Sequence, residues 1–263
     1  MSAAKPKVSV ERDGVVTRIW LDRPEVHNAF DDELILQLDQ AIRAAIEDAA
    51  ARVVVIGGRG KSFSAGADLE WMRRAAGWTG EENARDAARL AGMLRALRDA
   101  PKLTIARVHG AALGGGLGLM AACDLAFAVG SVSFAFTEVK LGLIPAVISP
   151  HVVEKLGPAR ARELFVTAAR FDAAEAARWG LITRVVADEG ELEAAIAGAV
   201  EQARAAAPGA VGAAKALVRA VTALPREQGD AFTAGEIARL RASDEGREGI
   251  QSFLEKRKPR WAQ

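Results

Sequence analysis

The sequence predicts an α/β core followed by a helical tail, and three observations carry that reading. Strand-like and helix-like runs alternate through the first two-thirds of the chain. The segments ARVVVIGG and KLTIARVHG are apolar without alternation, the pattern of parallel strands covered on both faces. From Pro158 onward the chain is rich in alanine and reads as mostly helix.

In chain order, VSVERDGVVTRIWLD gives two alternating strands around a turn at Asp13-Gly14. DDELILQLDQAIRAAIED follows as a helix, with Leu34, Ile35, Leu38, Ile42 and Ile46 at helical spacing. Asn28 or Asp31 is its candidate cap. ARVVVIGG is a buried strand ended by Gly57-Gly58. A loop through Phe63 leads to a helix from about Asp68, then to a longer amphipathic helix ending at Asp99. Pro101 breaks the chain before the strand KLTIARVHG. After a glycine cluster, CDLAFAVGSVSFAF returns to strand character. Gly180, Pro208 and Pro225 punctuate the tail. The expected division is a core over residues 1–200 and a helical region over 201–263.

Composition narrows the function. Lys plus Arg total 35 against 34 for Asp plus Glu, a net charge of +1, so nothing global draws the chain to nucleic acid or an anionic membrane. Aromatic residues make up 5% and tyrosine is absent, which argues against a base-stacking platform. Cys123 is the sole cysteine and sits in an apolar run, so a packing role is expected and no intramolecular disulfide can form. The opening MSAAKPKVSVERDG lacks the apolar centre of a signal peptide, and no run is long enough to span a bilayer. A cytoplasmic protein is the expectation. No H-E-x-x-H or C-x-x-C spacing suggests a metal.

Two glycine loops carry the chemistry. HGAALGGGLGLMAACD packs Gly114, Gly115, Gly116 and Gly118 together, with no acid, base or hydroxyl between His109 and Cys123. GKSFSAGADLEWM leads through Ala65-Gly66-Ala67 into a helix in the same way. Free N–H groups at such helix starts donate to an anion or a polarised oxygen, and two loops side by side would make an oxyanion hole. Tight helix-sheet packing is the other reading of the same glycines. A phosphate loop is disfavoured, because G-x-x-x-x-G-K-[ST] is absent.

SFSAGADL, HGAALGGGLGLMAACDLAFA and FTEVKLGLIPA, in that order between IWLDRPEVHNAF and EGIQSFLEKRKPRW, resemble the enoyl-CoA hydratase/isomerase (crotonase) superfamily. The resemblance implies a spiral of β-β-α units with a C-terminal helical trimerisation region, as a homotrimer or a dimer of trimers. It implies that the N–H groups of Ala67 and Gly115 hold the thioester oxygen of an acyl-CoA, and that Glu138 moves the proton. Hydratases of the family commonly have a second glutamate where this chain has Gly118.

With one carboxylate, three outcomes stay open. Glu138 alone serves a hydratase, with water or substrate in the space at Gly118; it shuttles a proton in a 3-enoyl to 2-enoyl isomerase; or the scaffold only binds acyl-CoA. TEVKLGLIPAVISPHVVEKLG resembles the branch holding bacterial 3-methylglutaconyl-CoA hydratase-like enzymes, which favours hydration of a short or branched 2-enoyl-CoA.

The same resemblance places Val26, His27, Ala29, Ala65 and Leu69 along coenzyme A, with Phe253 and Lys256 reaching the coenzyme of a neighbouring subunit. Coenzyme A enters as part of the substrate, and no tightly bound cofactor is implied. Trp71, Met72 and the helix after them are expected to border the acyl pocket. His151, His109, Asp124 and Asp68 are read as structural.

Overall fold

The computed structural model describes residues 5–262, so the first four residues of the segment read as lacking a leader lie outside it. Strands β1 (Val8–Asp13) and β2 (Val16–Leu21) form the expected hairpin, with Val8 opposite Leu21 and Gly14 at φ +55° in the turn. Helix α1 (Asp32–Glu47) follows, and of the two candidate caps it uses Asp31, whose side chain accepts from Leu34 N at 2.8 Å. Asn28 instead donates to the carbonyls of Arg59 and Ser62, stitching two loops together.

Then come β3 (Val53–Gly58), α2 (Leu69–Ala75), α3 (Gly80–Asp99) and β4 (Leu103–Val108). The two-residue strand β5 (Ala112–Leu113) leads into α4 (Gly115–Ala122), followed by β6 (Leu125–Val129), β7 (Ser133–Ala135) and α5 (Ser149–Thr167). Gly157, at φ +71°, kinks α5 just before Pro158.

The tail is less purely helical than its alanine content suggests. Between α5 and α6 (Ala173–Arg178) lies β8 (Phe171–Asp172), and after α6 comes β9 (Arg184–Val186). Helices α7 (Glu189–Ala205), α8 (Pro208–Ala223), α9 (Arg226–Ala242) and α10 (Asp244–Leu254) complete the chain. Residue 200 falls inside α7, which packs on β4, β6 and β9.

The main sheet runs β1-β2-β3-β4-β6-β9, parallel after the first hairpin. Every residue of β3 is buried, as its unbroken apolar run requires. A second sheet, β5-β7-β8, lies beside it and is extended by isolated bridges Ser64–Ala112 and Phe30–Ala67. Each turn of the spiral gives one strand to each sheet and then a helix, as in β4-β5-α4 and β6-β7-α5. Phe30, Phe63, Phe134 and Phe136 are fully buried in the core, each worth about 1.5–3 kcal/mol relative to exposure. Among the described residues no helix is long and apolar enough to cross a membrane.

Candidate active site

The small sheet sets the site, because three successive turns of the spiral present their chain ends at one edge. Ala67 follows the Ser64 bridge, Gly115 follows β5, and Glu138 follows β7. All three line one cavity of about 190 Å³, walled by Phe30, Trp71, Leu90 and the segment Ile144 to Ile148.

The backbone there is arranged to leave two donors free. Phe30 N donates to Gly66 O at 2.7 Å, and Asp68 N donates to Phe30 O at 2.9 Å. That parallel bridge uses the groups flanking Ala67 and turns the Ala67 N–H away, and it has no acceptor among the described residues. Gly115 opens α4, so its N–H has no intrahelical partner and carries the positive end of the helix dipole.

Glycine is needed at the crossing of the two loops. Gly66, at φ +92°, would put a Cβ 3.0 Å from Leu113 O. Gly114, at φ +46°, would put one 3.1 Å from Glu138 Oε1. These glycines let the loops abut and keep the carboxylate beside them.

Glu138 begins a short 3-10 turn, Glu138–Leu141, just after β7. Its Oε2 is buried with no hydrogen-bond partner. Burial pushes the carboxyl above the usual carboxylate range, partly offset by a bond from its own amide. It is the only carboxylate on the cavity wall among the described residues.

The expectation of open space at Gly118 does not hold. A Cβ there would sit 2.1 Å from Ile148 Cγ2 and 2.5 Å from Ile148 Cβ. Ile148, itself 3% exposed, fills the position with hydrocarbon. Neither water nor substrate has room at that point.

The segments assigned to coenzyme A are brought together in part. Ala65 N donates to His27 O at 2.9 Å, and His27 Nδ1 lies 3.0 Å from Ser62 Oγ. His27 takes a left-handed conformation at φ 54° between half-buried Val26 and buried Ala29, and Leu69 is exposed at the start of α2. Phe253 and Lys256, at the end of α10, are exposed and do not line the cavity. Trp71 lines it and Met72 does not. Leu90, on the helix after Trp71 and Met72, also lines it, whereas Phe30 and Ile148 are additions, and only Phe30 has a sequence signal, as the last residue of RPEVHNAF.

The residues read as structural are so placed. Asp68 caps α2 through Glu70 N and Trp71 N. Asp124 accepts from Thr104 and Lys215. His109 Nε2 donates to Gly60 O at 2.8 Å, and His151 is buried in the first turn of α5. Burial pushes the Cys123 thiol up to about 12, which removes it as a nucleophile.

The family model for enoyl-CoA hydratase/isomerase matches residues 11–263. The chain belongs to that family. A solved enoyl-CoA hydratase from Shewanella pealeana is 38% identical, with a TM-score of 0.93 over 97% of this chain and 96% of that one. Pseudomonas aeruginosa AtuE is 36% identical, with a TM-score of 0.94 over 98% of this chain and all of that one. A carnitinyl-CoA dehydratase from Citrobacter koseri is 36% identical over 95% of this chain and 96% of its own length. The crotonase fold is therefore that of this family member, and an acyl-CoA thioester is the substrate class its membership implies.

Proposed function

We propose that the protein adds water reversibly to a short or branched 2-enoyl-CoA, with 3-methylglutaconyl-CoA as a candidate substrate. One observation carries the reading: two unsatisfied backbone donors and a carboxylate with a buried, unpartnered Oε2 share a small cavity. Its roughly 190 Å³ lies below the usual range for ligand pockets, about 300–1,000 Å³, which suits a short acyl group. The N–H groups of Ala67 and Gly115 hold the thioester oxygen as negative charge develops on it, a contribution of about 3–4 kcal/mol per donor in other enzymes. Glu138 takes a proton from water as its oxygen attacks the β-carbon, then returns that proton to the α-carbon of the enolate. The names of the hydratase and dehydratase relatives support hydro-lyase chemistry.

A second reading, isomerisation of a 3-enoyl-CoA to a 2-enoyl-CoA, is favoured by Ile148 at Gly118, because one carboxylate suffices to remove and return a single proton. Coenzyme A lies along Val26, His27, Ala29, Ala65 and Leu69, without a tightly bound cofactor. The region from residue 201 on supplies the contact of a homotrimer or dimer of trimers, and Phe253 and Lys256 reach a neighbour's coenzyme. The setting is the cytoplasm, without a nucleic-acid partner.

The test offers crotonyl-CoA, 3-methylglutaconyl-CoA and a 3-enoyl-CoA in ¹⁸O-labelled water, with Glu138→Ala as control and mass spectrometry of the products. Labelled oxygen in the product, lost in the variant, is the expected result. Conversion of the 3-enoyl substrate without label would make the enzyme an isomerase.

A further inference from the structure

Arg23 lies in the RPEVHNAF turn and does not line the cavity, yet it grips both sides of the bridge that holds Ala67. Its side chain is 13% exposed. Nη1 donates to Ala29 O at 2.8 Å and lies 3.1 Å from Asp31 Oδ2, while Nη2 donates to Asp68 Oδ2 at 3.0 Å. Ala29 and Asp31 flank Phe30, and Asp68 follows Ala67. One guanidinium therefore clamps the two short segments whose pairing aims the Ala67 N–H.

The two acids are also helix caps. Asp31 Oδ1 accepts from Leu34 N at the start of α1. Asp68 Oδ1 accepts from Glu70 N at 2.8 Å and Trp71 N at 3.2 Å at the start of α2. Arg23 thus links two helix N-termini through the acids' second oxygens. Only a planar fork meets three acceptors at fixed angles, which a lysine ammonium cannot reproduce. Lys7 also pairs with Asp31, at 2.6 Å, so Asp31 keeps a cation if Arg23 is lost, whereas Asp68 has no other ion-pair partner among the described residues. The effect of losing Arg23 falls on the Ala67 side.

We propose that Arg23 is a positioning residue for the oxyanion donor, fixing the Ala67 N–H on the thioester oxygen through Asp68 and Ala29. The inference rests on the assignment of Ala67 to that oxygen. It separates position from mere folding, because Asp68→Asn cuts the Arg23 arm at Oδ2 while Oδ1 keeps the cap on α2.

The experiment measures the affinity of butyryl-CoA and of S-butyl-CoA, its thioether analogue without the carbonyl, for wild type, Arg23→Lys and Asp68→Asn. Melting temperatures establish that each variant is folded, and Asp68→Asn decides if Arg23→Lys is not. Wild type is expected to prefer the thioester. In the variants that preference falls about tenfold, the scale of one lost charge-assisted bond, with thioether binding unchanged. A folded variant that keeps the wild-type preference, or loses both ligands equally, overturns the role of Arg23. Wild type without any preference overturns the oxyanion assignment itself.

Discussion

At the scale of single residues, burial works against the ionisation of Glu138, and two consequences follow. Its folded-state pKa is raised, so stability falls as pH rises from the unfolded value near 4.5 through the folded one, and the cost is constant above that. Glu138→Gln should therefore melt higher than wild type at neutral pH, with the gap closing as pH drops toward 4.5. Activity should move the opposite way, rising with pH as the carboxylate forms and falling by orders of magnitude in Glu138→Gln; thermal melts and initial rates across pH check both. The glycine loops pointed to free backbone donors, but Ala67, Gly115 and Glu138 in particular came from the family resemblance, and the structure brings all three to one cavity. Gly118 was legible only as a missing glutamate. Its filler, Ile148, comes from a segment 30 positions along the chain, and no local pattern links the two.

At the scale of elements, the Gly118–Ile148 contact locks α4 against α5, and it should behave as tight packing. Gly118→Ala is expected to destabilise by about 1–3 kcal/mol, as overpacking does. Combining it with Ile148→Ala should cost less than the two single changes together, because the second relieves the clash; denaturant titration of the cycle measures this. The long elements, β3, β4, α1 and α3, follow from apolar period and capping chemistry. The two-residue strands β5 and β8 do not, because their existence depends on the neighbouring turns of the spiral rather than on their own residues. Yet β5 and β7 are what set Gly115 and Glu138 side by side.

At the scale of the whole molecule, α8 buries none of its residues in the single chain, and Val218, Val221, Leu224, Ile237 and Ile250 stand exposed along α8 to α10. Apolar exposure of this kind is what the proposed assembly would cover. Light scattering should give a mass that is a multiple of three times the 27.7 kDa chain, and Ile237→Asp should reduce it. A monomeric wild type would contradict the proposed assembly. The alanine-rich composition signalled helices here, but which faces stay uncovered is visible only once the core has claimed its own residues.

The most direct measurement is exchange of the α-hydrogens of butyryl-CoA in D₂O, followed by mass spectrometry. It asks for the enolate alone, whether the full reaction is hydration or isomerisation. The account predicts that wild type takes up one deuterium at the α-carbon, on the side facing Glu138, and that Glu138→Gln takes up none. No exchange by wild type, or exchange that persists in the variant, would contradict it.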